Sequence, residues 1–283
     1  MANSKISSTI AREEDGTVQI TFTIPQSIIE KNEAQAVAEL AKTAKVPGFR
    51  PGKAPLDKVK ASASKDDLMQ KTLTKILPQA FSDAIEQHKL KPATYPKFEI
   101  ISQEANWQIR ATTCEIADFD LGDYKNIAKQ AVAPSIVTLD KKDEKKPTQE
   151  QQEQKVMMAL LDSIKLTIPH ILIEEEVNLK LSQLLERIEK LGLNLESYLS
   201  SVGKTPESIR KEYQLQTEQA ISLELILNKI ALTEKIEVPH EQIHDALKAM
   251  GADEDPHADA SRHNAVESVL RRRAVLDSLL HQA

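Results

Sequence analysis

The sequence contains very little cysteine and few aromatic residues. Cys114 is the single cysteine among 283 residues, which excludes an internal disulfide and a cysteine-cluster metal site. Phe, Trp and Tyr make up only 4% of the chain, with Trp107 as the single tryptophan. This scarcity disfavours an aromatic-rich β-sandwich, and the many Leu, Ile, Val and Ala residues favour packed helices. Both Cys114 and Trp107 fall in a predicted strand, where we expect them to be core residues.

Long apolar runs are also absent from the sequence. No run approaches the roughly 18 apolar residues that a membrane-spanning helix needs. The N-terminal stretch MANSKISSTIAREEDG lacks the apolar segment of a signal peptide. We therefore expect a cytoplasmic protein without a membrane partner.

The charge of the chain is unevenly distributed. The formal net charge is −6, yet residues 1–134 carry 18 Lys and Arg against 17 Asp and Glu, whereas residues 135–283 carry 19 against 26. Residues 42–60 contain six cations and one acid, Asp57. The six cations are Lys42, Lys45, Arg50, Lys53, Lys58 and Lys60. This local surplus predicts attraction to phosphate or to an acidic protein surface.

The first half of the chain has the pattern of a small α+β domain with an antiparallel sheet. A hairpin is predicted at residues 5–24, because Val18, Ile20, Phe22 and Ile24 alternate at period two. Ser27 and Glu30 match a capping box at the start of a first helix. The remaining predicted elements are helices at 28–44, 55–63 and 66–88 and strands at 92–101 and 105–117.

The second half has the pattern of an all-α domain. Residues 135–154 are polar and charge-mixed, and we interpret them as a linker that leads into a helix. The predicted domains are thus 1–134 and 155–283. Helices are predicted at about 150–166, 171–191, 195–202, 206–235, 239–250 and 259–281.

One short stretch of the N-terminal half has the composition of a binding loop. Residues 46–55 read VPGFRPGKAP, and their glycines and prolines predict a turn between two helices. Its tip would expose Phe49, Arg50 and Lys53. A phosphate-binding P-loop is excluded, because three residues instead of four separate the glycines and Ala54 replaces the Ser or Thr after the lysine.

Residues 240–244 spell HEQIH, which has the form of a zinc-peptidase motif. His240 and His244 would share one helix face, with Glu241 as the general base. However, Pro239 places the motif in the first exposed turn of a helix, whereas a zinc peptidase needs it beside a buried cleft. We therefore expect an ordinary helix start, no bound metal and no cofactor.

Leucine is abundant on the helices of the second half. Residues 179–185 place leucines on opposite sides of one helix, which is more than one core stripe requires. Two interpretations stay open: a fully packed helical core, or apolar surface that binds a partner or an unfolded chain. The candidate client-binding residues are Leu184, Leu185, Leu191, Leu195 and Leu199.

The stretch GFRPGKAP at residues 48–55 resembles the ribosome-binding signature GFRxGKxP of bacterial trigger factor. The flanking hairpin and helix, the segment PQAFSDAIEQHKLKPATYPKF and the strand ending in DFDLGDY are similar to that family's N-terminal domain. LNLESYLSSVGKTPESIRKE and KIALTEKIEVPHEQI are similar to its helical C-terminal domain. Residues 123–150 leave no room for the family's FKBP-type prolyl-isomerase domain, so the resemblance is to a short form.

The resemblance implies an ATP-independent chaperone, with the family's links to protein folding, protein transport and cell division. It implies that the large ribosomal subunit, both protein and rRNA near the exit tunnel, and nascent or unfolded polypeptides are partners. The implied ribosome-binding residues are Gly48, Phe49, Arg50, Pro51, Gly52 and Lys53, with Lys45 and Lys58 as supporting cations. Pro51 departs from the family pattern, because a lysine is commoner there. Residual prolyl isomerisation, a ribosome-independent holdase and a homodimer off the ribosome stay open.

Overall fold

A computed structural model of the chain describes residues 5–44, 46–50, 52–133, 148–250 and 259–282. Its contacts divide the chain into two compact units. Unit 1 comprises Met1–Ile116 with Pro169–Leu172, and unit 2 comprises Ala117–Ile168 with Ile173–Ala283. The expected class, an α+β fold with an antiparallel sheet followed by helices, is confirmed.

Among the described residues, unit 1 contains one four-stranded antiparallel sheet in the spatial order β1-β2-β4-β3. The strands are β1 (Ser7–Arg12), β2 (Thr17–Pro25), β3 (Lys97–Gln103) and β4 (Asn106–Cys114). The central strands β2 and β4 pair along their whole length, with Thr17 opposite Cys114 and Pro25 opposite Asn106. The two middle strands therefore come from distant parts of the chain, and β1 and β3 form the edges.

Helices α1 (Gln26–Thr43) and α3 (Lys65–His88) pack on one face of this sheet, and α2 (Leu56–Ser62) lies between them in sequence. The predicted alternation in β2 is confirmed, because all its inward side chains are buried. Burial of this apolar surface against α3 stabilises the unit. The main core residues are Val18, Ile20, Phe22, Ile24, Ile76, Leu77, Ala80, Ala84 and Ile109.

The start of α1 differs from the sequence prediction. Pro25 is the N-cap and makes no side-chain cap hydrogen bond, so the capping box predicted for Ser27 and Glu30 is wrong. The helix begins directly after β2 at Gln26, which places Ser27 inside the first turn. Glu30 instead accepts a hydrogen bond from the Gln26 side-chain amide at 3.2 Å.

The predicted strands of the second hairpin were too long at their outer ends. β3 begins at Lys97 instead of residue 92, because Pro92 and Pro96 have no N–H to donate to a sheet. It continues to Gln103 through a register irregularity between Ile100 and Ser102.

Unit 2 is helical throughout its described secondary structure, and each helix predicted for the second half is present. The helices are α4 (Tyr124–Val132), α5 (Gln149–Ser163), α6 (His170–Lys190), α7 (Leu195–Val202), α8 (Pro206–Glu234), α9 (His240–Ala249) and α10 (Asp259–Gln282), with the first residues of α6 grouping with unit 1. A large cluster joins α4, α5, α8 and α10. A smaller cluster joins α6, α7 and the start of α8 around Leu184, Ile188 and Ile209.

Part of the predicted linker is helical. Thr148 and Gln151 form a capping box, so α5 starts at Gln149 and includes residues 149–154. Residues 134–147 lie outside the described residues. Residues 117–133, which we assigned to the first domain, group with unit 2, because α4 packs on α5 and α10. In the described ranges, no helix combines the length and apolarity needed to cross a bilayer.

Candidate docking tip and exposed leucine surface

The tip, residues 46–55 between α1 and α2, rests on a small apolar cluster. Val46 is buried with Ala36 and Val37 of α1, Val59 of α2 and Leu68 of α3. Three helices therefore converge below the tip. Because Val46 is held in this cluster, the residues that follow it project from a fixed base.

Two successive turns build the tip. The Phe49 N–H donates to the Val46 carbonyl at 3.1 Å, and the Lys53 N–H donates to the Arg50 carbonyl at 3.0 Å. Each bond joins the first and fourth residues of a turn. Phe49 thus ends one turn and Arg50 starts the next, which brings their side chains to the middle of the tip.

Glycine is the third residue of both turns, with φ of +84° at Gly48 and +80° at Gly52. A type II turn requires positive φ at its third residue and favours proline at its second, where the sequence has Pro47 and Pro51. Sequence reasoning missed this tandem repeat of Pro-Gly dipeptides, although the spacing was visible. Pro51 lies outside the described residues, yet its residue type suits such a turn better than lysine does.

The two glycines differ in their surroundings. A Cβ atom added at Gly52 would lie 3.2 Å from the Lys42 carbonyl oxygen at the end of α1. A Cβ atom added at Gly48 would meet no atom within 4 Å. Gly52 therefore permits both the backbone conformation and the close approach of the tip to α1, whereas Gly48 permits only the conformation.

The predicted contact residues are exposed on the tip. Phe49 has 42% of its surface accessible, which is unusual for a large apolar side chain near a folded core. Arg50, Lys53 and Lys58 are exposed and form no ion pair with any described residue. Lys45 lies outside the described residues. The tip thus offers an aromatic ring beside cations that remain available for an anionic partner.

Leu56 is a further exposed residue beside the tip that sequence reasoning missed. It is the first residue of α2, directly after Pro55, and about half of its surface is accessible. The sequence pattern predicts that Leu56 lies in a helix. It does not predict whether Leu56 faces the core or the solvent, because α2 is too short to show a clear apolar stripe.

Two cations on the helices below the tip are compensated by ion pairs. Lys60 forms an ion pair with Glu33 at 2.7 Å, and this hydrogen bond raises the pKa of Lys60. Lys75 similarly pairs with Glu39 and lowers the pKa of that carboxyl, first through its hydrogen bond. Among the described cations of residues 42–60, Lys60 is therefore compensated by an ion pair, whereas Arg50 and Lys53 of the tip and Lys58 of α2 are not.

The candidate client-binding leucines divide into two groups. Leu184 is 9% exposed and packs with Ile188 and Ile209, so it lies in the helical core and offers little surface to a client. Leu199 is partly buried against the same cluster. The exposed group, which we call the leucine surface, spans the end of α6, the following loop and the start of α7. It comprises Leu185, Leu191, Leu193 and Leu195.

The HEQIH segment begins α9, with Pro239 as N-cap. The His240 ring lies 6.0 Å from that of His263 on α10. Across the part of the chain that the structure describes, no group of three or more His, Cys, Asp or Glu side chains is arranged to hold a metal ion.

Cys114 and Trp107 on β4 differ in burial. Cys114 is buried, as predicted. Trp107 packs against the sheet core but is only half-buried, so the prediction of a plain core residue was incomplete.

These features define a class of protein in which an α+β unit presents a rigid aromatic and cationic tip and a helical unit exposes leucines. The chain belongs to the bacterial trigger factor family. A family model of bacterial trigger factor protein matches residues 6–150, and a model of its C-terminus matches residues 138–281. The two matches overlap, so no additional segment lies between them, in agreement with the expected short form.

Individual relatives match parts of the chain. Trigger factor from Thermoanaerobacter sp. (strain X514) is 35% identical over 100 residues, which cover 35% of this chain and 23% of that protein. Trigger factor from Limosilactobacillus reuteri (strain DSM 20016) is 29% identical over 140 residues, 49% of this chain and 32% of that protein. The matched part thus spans about a quarter to a third of these relatives.

A solved structure described as "Promiscuous Substrate Recognition in Folding and Assembly Activities of the Trigger Factor Chaperone" has a similar fold. The TM-score is 0.63 at 13% identity, and the alignment covers 97% of this chain and 99% of that one. The likeness concerns the fold.

Proposed function

We propose that this chain is an ATP-independent, cytoplasmic molecular chaperone that docks on the large ribosomal subunit beside the exit tunnel. Docking uses residues 48–53, with Phe49, Arg50 and Lys53 as the main contacts. The helical unit shields nascent or unfolded polypeptides. No cofactor takes part, and client release follows from competing folding of the client.

The single observation that carries the proposal is the exposed Phe49 beside uncompensated Arg50 on a tip anchored by buried Val46. Arg50 has a planar fork that binds carboxylate or phosphate with two hydrogen bonds. Phe49 adds apolar contact area. Because the base of the tip is fixed, little backbone conformational entropy is lost when these side chains bind.

The leucine surface supports the client-binding part of the proposal. Leu191 has 68% of its surface accessible, and its exposed neighbours lie within eleven residues of sequence, 185–195. Contiguous apolar surface usually marks a binding site. Apolar burial is non-directional, so such a surface accepts many different unfolded segments.

The proposal predicts that Phe49→Ala combined with Arg50→Ala abolishes co-sedimentation with ribosomes, because the double change removes both the apolar and the charge-assisted contact. Co-sedimentation of the purified full chain with 70S ribosomes measures this. Circular dichroism should be unchanged, since both side chains are exposed.

Leu215→Ala with Arg273→Ala is the matched control, because it removes one exposed leucine and one exposed arginine from unit 2. This control should bind ribosomes as the unaltered chain does. Ribosome binding retained by the tip variant would refute the assignment of the docking site.

A ribosome-independent holdase is the second candidate, and the leucine surface favours it because that surface does not involve the tip. It predicts suppression of client aggregation by a chain that does not co-sediment with ribosomes. A homodimer off the ribosome remains a prediction that sedimentation velocity tests.

A further inference from the structure

A groove of about 470 Å³ opens in unit 1, apart from the docking tip. It lies between α1, the end of α2, the start of α3, the last residue of β3 and the start of β4. Five of the eleven residues that line it have apolar side chains. These are Ile29, Ala63, Leu68, Met69 and Trp107.

The groove has a fixed floor and an adaptable wall. Ile29 and Leu68 are buried and form part of the unit core. Met69 and Trp107 are half-buried, and the Met69 Sδ atom lies 3.2 Å from the Gln103 side-chain nitrogen across the rim. Methionine adapts its shape to different contacts, and an indole ring offers a large apolar face. The volume lies within the range of known ligand pockets.

The rim carries equal numbers of positive and negative charges. Lys60 and Glu33 form an ion pair at 2.7 Å, and Lys65 and Asp66 begin α3. Nucleic acid and anionic membranes are attracted by a surplus of cations, which this rim lacks and the tip has. A balanced rim suits the uncharged backbone of a polypeptide.

Apolar surface continues from the groove along the edge strand β3. Gln103 is opposite Trp107 and Ile100 is opposite buried Ile109, so these positions share the face that the helices cover. Phe98 lies on the same face, with its ring 6.3 Å from Phe81 of α3. Phe98 and Ile100 are nevertheless both exposed, at 39% and 38%.

The outer side of β3 has no strand beside it among the described residues, since the sheet order ends there. The backbone N–H and C=O groups of such an edge match another extended backbone. The opposite edge, β1, starts with Ser7, Ser8 and Thr9 and has no comparable apolar run. Among the described residues, only the β3 edge combines an outer side without a neighbouring strand, apolar side chains and a groove at its end.

We propose that an extended polypeptide segment adds to the edge of β3 and places an apolar side chain in the groove beside Trp107. The inference rests on the proposed chaperone function, because the segment belongs to an unfolded client. Backbone hydrogen bonds supply affinity without sequence specificity, and alternate side chains of the client face the apolar strip. Unit 1 thus contains a client site of its own.

Trp107 reports on this site directly, because it is the single tryptophan. The probe is a tryptophan-free decapeptide in which Val and Phe alternate with Thr, flanked by lysines for solubility. Titration into the full chain should give a saturable blue shift of the emission. Two further peptides carry N-methyl groups on alternate backbone nitrogens, in the odd or the even set. One of these two peptides should bind at least about tenfold more weakly and the other should bind normally. The reason is that an added strand donates the N–H groups of only one of its two edges to β3.

A substitution at the edge provides a second measurement. Ile100→Lys should weaken peptide binding about tenfold, whereas Leu215→Lys on α8 should change it less than about twofold. Both side chains are exposed, so thermal melting should show that both variants fold. The comparison of methylated peptides needs no variant and stands even if Ile100→Lys unfolds.

Three results would overturn the inference: no change in Trp107 emission at saturating peptide, equal binding of both methylated peptides, or an emission shift that follows protein concentration without peptide. The last would identify a second copy of the chain as the occupant. Ribosome co-sedimentation and aggregation suppression are measured separately, so a silent Trp107 with both activities intact rejects the β3 site and leaves the proposed function standing.

Discussion

The docking tip and the leucine surface expose apolar side chains in different ways. The tip presents one ring, Phe49, between two hydrogen-bonded turns above a buried anchor. The leucine surface presents four leucines across a helix end, a loop and a helix start, with 40% to 68% of each exposed. A single well-fixed ring suits one partner of constant shape, whereas exposed leucines at several positions suit many partners.

This difference predicts where binding energy is concentrated. A partner recognised by a fixed geometry should depend strongly on single residues, as at interface hot spots. Clients held by dispersed apolar contacts should depend on the number of leucines more than on any one.

The largest expected effect on client binding is the combined loss of the leucine surface. Leu185→Ala with Leu191→Ala and Leu195→Ala should weaken binding of an unfolded client roughly a hundredfold, since each truncation removes about 1 kcal/mol of apolar burial. Each single change should cost less than about fivefold. Fluorescence anisotropy of a labelled unfolded client measures these affinities. Met158→Ala with Leu215→Ala and Leu232→Ala, exposed elsewhere in unit 2, is the control and should bind normally. If a single leucine accounted for most of the lost client affinity, the leucine surface would not differ from the tip in its dependence on single residues.

The next effect concerns the two glycines of the tip. Gly48→Ala should weaken ribosome binding about fivefold, because an alanine at positive φ costs about 1 kcal/mol. Gly52→Ala should weaken it at least about tenfold, since its Cβ atom would also press on the Lys42 carbonyl. Equilibrium binding to ribosomes measures both. Equal effects would show that contact with α1 does not position the tip.

The smallest expected effect is a loss of stability in unit 2 that leaves ribosome binding by the tip unchanged. The hydroxyl of buried Tyr124 donates to Glu234, whose carboxylate also lies 2.7 Å from Lys125. Burial is the main cause, and the hydrogen bond to Glu234 the second, that raises the pKa of Tyr124 to about 12. Tyr124→Phe should lower the free energy of unfolding at pH 7 by about 1 kcal/mol, the usual contribution of one hydrogen bond. Urea unfolding followed by circular dichroism measures this, and ribosome affinity should not change.

The same group predicts a pH dependence with a definite sign. The Tyr124 contribution is complete below the unfolded pKa of 10.0 and is lost as the pH rises through the folded value of about 12. The pKa of Glu234 is lowered, first by Lys125 and then by Tyr124, so its contribution is present above 4.5 and is lost in acid. Tyr124→Phe should therefore be less sensitive to alkali than the unaltered chain. An equal decline of both above pH 10 would contradict this assignment.

Elements with strong periodicity or end signals were predictable from the sequence. Thr205 and Pro206 start α8 as predicted, and Gly203 ends α7 with positive φ. The start of α1 was not predictable from its local signal. Ser27 has the residue type of an N-cap, but Pro25 at the end of β2 occupies the N-cap position.

The candidate site was predictable in its residues and less so in its geometry. Phe49 and Arg50 stood out from their neighbours, but the role of Pro51 required knowledge of the turns on either side. Leu184 and Leu185 are adjacent and chemically identical, yet only the packing of α8 on α6 decides that the first is buried. The groove beside Trp107 depends on contacts between α1, α3 and β4, which no local pattern contains.

The pairing of β2 with β4 has a consequence for how the protein itself is made. The partner residues Thr17 and Cys114 are almost a hundred positions apart, and the tip lies between them. Closing so long a loop is entropically unfavourable, and folds rich in such distant contacts form slowly. During synthesis the hairpin β1–β2 emerges early but cannot complete its sheet until β4 leaves the ribosome. The nascent chain therefore leaves the inner edge of β2 without its partner strand throughout that interval.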